Sequence, residues 1–346
     1  METINIQLSI EEFRIEKDND RLILHIIGKE LNKPENTMES LLPDSKNQKP
    51  VILTDFMDDI IMKKKQYNLY RSAESYISTR NSIKKFLNGN NILITDISKS
   101  LLEEYQSWMK KQGLTKNTIS FYLRTLRTVY KKAVELNITN DQQPFKGVYT
   151  GIAKTRKRSI ELQDIKAIRH YKTDNLRLAF ARNMFLFSFF TQGMSFVDMS
   201  YLEKKDVANG HIIYRRKKTG QKIIIKLTEE IEEIIRRNPS NTQKYLLPII
   251  GKENGKERNQ KRYRQNEVNN NLKKISEELH LSKPLTMYVA RHSWASLAYS
   301  NGVSLSTISH ALGHDSEKTT LIYLKELDSA AIDIANKTVI SLLGKE

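Results

Sequence analysis

Between residues 285 and 323 the chain spaces three kinds of side chain that together can work on a phosphodiester without a metal. Arg291 and His292 form a pair, His314 follows Leu312 and Gly313, and Tyr323 stands nine residues beyond His314. A guanidinium makes planar, bidentate bonds to non-bridging phosphate oxygens, and a pentacoordinate transition state rewards them. A histidine can donate to the same oxygens. A phenol becomes a nucleophile once its proton, with a pKa near ~10, is removed. Exchanging a phosphodiester for a phosphotyrosyl ester of similar energy needs no ATP and is reversible. No Asp, Glu and His cluster has metal-ligand spacing, and the absence of cysteine removes disulfides, thiolate metal sites and cysteine nucleophiles together. No metal and no cofactor are expected. His310, four residues before His314, reads as structural.

Elements must bring these residues to one place, and the composition bounds what those elements are. A formal net charge of +17 over 346 residues favours a polyanionic partner, because each neutralised phosphate frees condensed salt ions. The length suggests two or three domains. No apolar run approaches the ~20 residues that cross a bilayer. The opening METINIQLSIEEFRIEKDND lacks the basic-then-apolar order of a signal peptide. A soluble cytoplasmic protein, associated with the nucleoid and with no membrane partner, is the expectation.

Residues 1–50 read as an N-terminal extension. Ile4, Ile6, Leu8 and Ile10 alternate, a second apolar run spans Leu22 to Ile27, and Asp18-Asn19-Asp20 can turn a two-stranded hairpin between them. The polar tract to Pro50 reads as linker. An arm module that binds DNA and an accessory flap both fit this extension. Residues 51–145 read as helices. Phe56, Ile60 and Ile61 begin the first, and Tyr76, Ile83, Phe86 and Leu87 mark the second. Leu101, Leu102, Tyr105, Trp108 and Met109 form a third, stopped by Gly113. Thr115 caps a fourth, with Ile119, Leu123, Leu126, Tyr130 and Ala133 as its buried stripe. Arg124, Arg127 and Lys131 form a basic stripe on that helix, either a solvated face or a contact to a DNA backbone.

Turn formers and then Lys154, Arg156, Lys157 and Arg158 make residues 146–158 a basic linker suited to lie along phosphates. Residues 159–330 form the next domain, with an apolar helix from Leu176 to Thr191. The runs HIIYRR and KIIIKL make a hairpin with Gly220 in its turn, and a basic cluster KERNQKRYRQ precedes a helix near Val268 to Leu279. Residues 331–346 carry Ile332, Ala335, Val339, Leu342 and Leu343 at helical spacings. That segment either docks on a neighbouring protomer or packs on its own domain.

The stretches ARHSWASLA and ISHALGHDSEKTTLIYL resemble the C-terminal block of tyrosine recombinases, which runs Arg-His, Leu-Gly-His, and then a nucleophilic tyrosine nine positions on. TKNTISFYLRTLRTVYKKAVELNIT is similar to the last helix of their core-binding domain. The resemblance covers about residues 50–330. It implies a mainly α fold with a small β component: a helical SAM-like core-binding domain and a mixed α/β catalytic domain of tyrosine-recombinase type. It implies that Tyr323 forms a 3′-phosphotyrosyl bond and frees a 5′-hydroxyl, that Arg291 and His314 hold the scissile phosphate, and that His292 supports the site. A lysine on the family's hairpin protonates the leaving 5′-oxygen. Lys218, within RRKKTGQ, is the first choice, with Lys217 and Lys222 competing.

Two departures stand out. Where the family has Gly-x-Arg-x-x-Glu, this chain has Gly193 to Asp198, with Ser195 at the arginine position and an acid kept at Asp198. Tyr288 replaces the usual His or Lys three residues before Arg291. Arg216 is the nearest substitute arginine, on the same side of the hairpin as Lys218 if the strand is regular. The serine, with TQGMSFVDM around it and YVARHSWAS downstream, resembles the Bacteroidetes-type branch of conjugative-transposon integrases and DNA invertases. Duplex DNA with specific recombination sites is then the partner. The resemblance also implies a protomer that is monomeric when free and tetrameric on DNA, with accessory DNA-bending proteins as further partners. Integration, excision and inversion all remain open. The rival readings are a catalytically impaired DNA-binding relative, suggested by Ser195 and Tyr288, and a type IB topoisomerase-like enzyme.

Overall fold

A computed structural model of the protein describes residues 9–18, 21–29, 50–153, 158–321 and 324. The chain divides into two units, Met1–Ala153 and Lys154–Glu346. Tyr323, Lys154, Arg156, Lys157, the segment 331–346 and most of the polar tract before Pro50 lie outside the described residues.

In the first unit, β1 (Ser9–Asp18) and β2 (Arg21–Lys29) pair antiparallel, with Asp18 opposite Arg21 and a register shift between Ile10 and Glu12. The helices α1 (Leu53–Gln66), α2 (Tyr70–Phe86), α3 (Lys99–Lys111) and α4 (Lys116–Glu135) follow. Local chemistry sets the ends of the last two. Ser98 Oγ accepts from Leu101 N at the start of α3, and Gly113 takes a positive φ of 73° just past its end. Thr115 Oγ1 accepts from Thr118 N to start α4. The stripe from Ile119 to Ala133 is buried, and Arg124, Arg127 and Lys131 are exposed on the opposite side. Tyr105 is fully enclosed, and its hydroxyl donates to Ser82 Oγ at 2.7 Å.

The first half of the expected linker is not a free tether. Asn117 brackets Ala153 with two bonds of 3.0 and 2.7 Å, and Ser120 Oγ donates to Gly151 O at 2.5 Å. Residues 146–153 are therefore laid on α4. Polar side chains on its first turns give the passing backbone partners that a solvated linker would take from water.

In the second unit, α5 (Leu162–His170) leads into α6 (Leu176–Phe190), whose Met184, Phe185 and Phe187 are completely buried. A helix this apolar on all sides must be central. It is covered by α8 (Glu229–Arg237), α9 (Glu257–Glu278) and α10 (Met287–Ser300). Between α6 and α8 come the short α7 (Phe196–Ser200) and a three-stranded antiparallel sheet, β3 (Val207–Ala208), β4 (His211–Arg215) and β5 (Lys222–Lys226). Ile212, Ile223 and Ile225 turn into the core. The short helices α11 (Leu305–Ala311) and α12 (Glu317–Leu321) close the described chain.

Two expectations are corrected. The basic cluster KERNQKRYRQ does not precede a helix; it is the first half of α9, and burial begins only at Val268. The run has no Pro or Gly and is rich in Arg, Gln, Lys and Glu, so propensity carries the helix outward without an apolar face. Arg216, counted with the strand, lies beyond the end of β4 at Arg215 and belongs to the turn. Among the described residues no helix is long and apolar enough to cross a membrane. No group of three or more His, Cys, Asp or Glu among them is placed to hold a metal ion.

Candidate active site

Arg291 and His292 sit in the first half of α10, and both are buried. The Arg291 side chain runs past Gly193, whose carbonyl accepts from Nη1 at 2.7 Å. Leu312 O accepts from Nη2 at 2.5 Å. Gly193 has a φ of +75°, and a Cβ there would lie 3.0 Å from both Cα and Cγ of Arg291. The glycine lets the turn after α6 approach the guanidinium stem.

His314 follows α11 through a second such turn. Gly313 has a φ of +62°, and a Cβ on it would stand 2.8 Å from Ile223 Cδ1 and 2.9 Å from Arg216 Cδ. This close approach brings β5 and the β4–β5 turn against the histidine. His314 Nε2 lies 3.0 Å from Arg291 Nη2, and Nδ1 lies 2.8 Å from Thr320 Oγ1. A guanidinium can only donate, so Nε2 is the acceptor, the ring is neutral, and Nδ1 carries the proton that it donates to Thr320. Burial, then the charges of Arg291, Arg216 and Lys218, push the imidazolium pKa down to about 3. In this arrangement the ring accepts a hydrogen bond at Nε2, where the sequence led us to expect a donor.

The β4–β5 turn supplies two of those three cations. Arg216 is 7% exposed, and its Nη1 donates to Gly313 O. Its Nε has no hydrogen-bond partner among the described residues. Lys218 is exposed at the turn. Its competitors are placed differently: the Lys217 ammonium lies 5.2 Å from the centre of the Tyr201 ring, and Lys222 is exposed in β5 opposite Arg215. The difference in burial between Arg216 and Lys218 departs from the expected shared side, because both lie in the turn and strand alternation does not govern them.

Ser195 does not face this group of cations as a spare hydroxyl. It is the N-cap of α7, accepting from Asp198 N at 3.3 Å and donating to Asp198 Oδ2 at 2.6 Å. The other carboxylate oxygen of buried Asp198 accepts from the Lys217 backbone N–H at 2.8 Å. The acid thus links α7 to the hairpin turn, a role the sequence did not reveal. Tyr288 is 42% exposed and meets the buried His292 ring edge-on, 4.5 Å between centroids. The Arg158 guanidinium lies 5.8 Å over the Tyr288 ring. His310 is exposed in the last turn of α11. Leu324, one residue past Tyr323, packs in a small core with Ala295, Ile308 and Leu312. The exposed Arg124, Arg127 and Lys131 belong to the first unit. Thr320, Thr219 and Gln221 were missed in the sequence, where no motif signals a hydroxyl or amide that bonds to a distant turn.

Residues 52–149 match the phage integrase SAM-like domain, and residues 158–329 match the phage integrase family. A tyrosine recombinase of Pseudothermotoga lettingae is 21% identical over 297 residues, 83% of this chain and 97% of that protein. Similar folds include a lambda integrase tetramer bound to a Holliday junction, with a TM-score of 0.60 at 17% identity over 81% of this chain and 80% of that one. The Tn1549 transposon integrase in complex with transposon right end DNA gives 0.61 at 13% identity, over 84% and 100%. The XerH site-specific recombinase bound to difH gives 0.56 at 18% identity, over 85% of each chain.

Proposed function

The chain belongs to the phage integrase family of tyrosine recombinases, which cleave and rejoin DNA, and we propose that it recombines specific sites through a 3′-phosphotyrosyl intermediate and a Holliday junction. The observation that carries this reading is the Arg291–His314 contact, joined through Nδ1 to Thr320, three residues before Tyr323.

The Tyr323 hydroxyl gives up its proton to solvent, and the resulting phenolate oxygen attacks phosphorus and forms the new P–O bond. The bond to the 5′-oxygen breaks, and that oxygen takes its proton from the Lys218 ammonium. Arg291 holds the non-bridging oxygens, with Arg216 supplying the second guanidinium where Ser195 cannot. Burial first, and then the charges of Arg291, Arg216 and Lys218, keep His314 neutral; a phosphate seated between these cations offsets their part and raises the affinity of Nε2 for a proton. His292 and Tyr288 support the wall behind Arg291. Attack by a 5′-hydroxyl of another strand reverses the sequence and restores the diester.

Ser195 and its surroundings support a place among the Bacteroidetes-type conjugative-transposon integrases and DNA invertases. On this reading the partner is duplex DNA carrying two recombination sites, engaged by four protomers with accessory DNA-bending proteins, in the nucleoid. Arg124, Arg127, Lys131 and the basic run from Lys154 to Arg158 contact its backbone.

The test is covalent trapping on a nicked suicide substrate. Wild-type protein is expected to give an SDS-stable adduct, and Tyr323→Phe to give none while binding the same DNA. An adduct from Tyr323→Phe removes the nucleophile assignment. Binding without any wild-type adduct favours a DNA-binding relative, and relaxation of plasmids lacking the site favours a topoisomerase.

A further inference from the structure

The turn that carries Lys218 is fastened on both sides of that residue. Before it, the Lys217 N–H donates to Asp198 Oδ1 at 2.8 Å. After it, Thr219 Oγ1 donates to Gly313 O at 3.3 Å, and Gln221 Nε2 donates to Asp315 Oδ1 at 3.1 Å and to His314 O at 3.5 Å. The turn also closes on itself, through Gly220 N to Arg216 O and Arg216 N to Gln221 O, each 2.8 Å. An exposed lysine in a six-residue turn would ordinarily sample a wide volume, and a proton donor loses rate steeply when it is misplaced by an ångström. Here the backbone beneath the ammonium is tied to the same Gly313–Asp315 turn that presents His314.

We propose that Thr219 and Gln221 are positioning residues for proton delivery by Lys218. They pin the β4–β5 turn to the Gly313–Asp315 turn and so hold the ammonium beside the phosphate site before DNA arrives. The inference rests on the reading of Lys218 as the general acid. The step it serves is the departure of the 5′-oxygen: as the phosphorus bond to Tyr323 forms, the electron pair of the breaking P–O bond takes the lysine proton. A sulfur in that bridging position leaves as a thiolate and needs no proton, since thiol pKa values lie near ~8.5.

The experiment compares single-turnover cleavage of two suicide substrates that differ only in a bridging 5′-oxygen or 5′-sulfur. The full-length proteins are wild type, Lys218→Ala, Thr219→Val, Gln221→Ala and the Thr219→Val/Gln221→Ala double variant. Each is checked for wild-type melting and DNA binding, and either single variant carries the test if the double variant does not fold. The expected result is a loss of about 10²-fold on the oxygen substrate for Lys218→Ala and the double variant, with both within about threefold of wild type on the sulfur substrate. Thr219→Ser, which keeps the hydroxyl, should retain activity on both. If Lys218→Ala is rescued by sulfur and the Thr219 and Gln221 variants are not, those residues act on the phosphate clamp and the inference is overturned. Unimpaired cleavage of the oxygen substrate overturns it as well. Failure of sulfur to rescue Lys218→Ala overturns the general-acid reading, and the inference with it.

Discussion

Ser195 occupies the position where an arginine was expected to grip phosphate, and its hydroxyl is engaged inside the protein as the cap of α7 and the partner of Asp198. Ser195→Ala should therefore cost about 1 kcal/mol of stability through the lost cap, read as a lower melting temperature, while cleavage stays within a few fold. Arg216→Ala should instead reduce cleavage by about 10²–10³-fold, the usual cost of removing one charge-stabilising donor. Normal cleavage by Arg216→Ala would place the second clamp elsewhere. Ser195→Arg should not rescue that variant fully, since the new guanidinium would start beside the Asp198 carboxylate. His314 makes a separate prediction about acid. Its folded pKa of about 3 lies below the ordinary value of 6.5, so between those pH values the unfolded chain binds more protons. The contribution is whole above about pH 6.5 and is lost as pH falls toward about 3. Melting temperature against pH should flatten over that window in His314→Asn.

At the scale of elements, the tight turns at Gly193 and Gly313 decide whether the site assembles, and a glycine away from the site serves as the control. Gly313→Ala meets both a left-handed backbone and Ile223 and Arg216 atoms under 3.0 Å away. Gly113→Ala meets the same kind of backbone with nothing within 4 Å. The first should cost about 2 kcal/mol or more and the second about 1 kcal/mol, and only the first should slow cleavage; equal unfolding midpoints would sink the packing argument. The helices with an apolar period and a capping residue, such as α4 behind Thr115, were legible in the sequence. So was the β4–β5 hairpin, from its β-branched runs and Gly220. The first half of α9 was not, because it buries no stripe. In the site, the residue types of Arg291 and His314 were legible from their motif. The bonds of Thr219 and Gln221 to a turn more than 90 residues away were not, since local pattern carries no record of long-range partners. Asp198 was legible as a retained acid but not as the acceptor of a backbone N–H on the hairpin.

For the whole molecule, the charge of +17 should appear as a steep salt dependence of DNA binding. With about 8 phosphates engaged per protomer, log affinity should fall against log salt with a slope near −7. Titrations followed by fluorescence anisotropy would read it, and a slope shallower than about −2 contradicts extensive engagement of the DNA backbone. Replacing Arg124, Arg127 and Lys131 together should flatten the slope by about one for each phosphate that is no longer neutralised. The fold is shared with two integrases and a site-specific recombinase at 13–18% identity, and in this chain the buried arginines are held by main-chain oxygens. Arg291 donates to the carbonyls of Gly193 and Leu312, and Arg216 donates to that of Gly313. A carbonyl oxygen cannot be mutated away. Lineages can therefore rewrite the side chains around the cations without unfastening them, provided the backbone keeps its path. A saturation scan scored by recombination should find Leu312 open to other apolar residues and Gly193 and Gly313 nearly closed, so that divergence is channelled around two glycines.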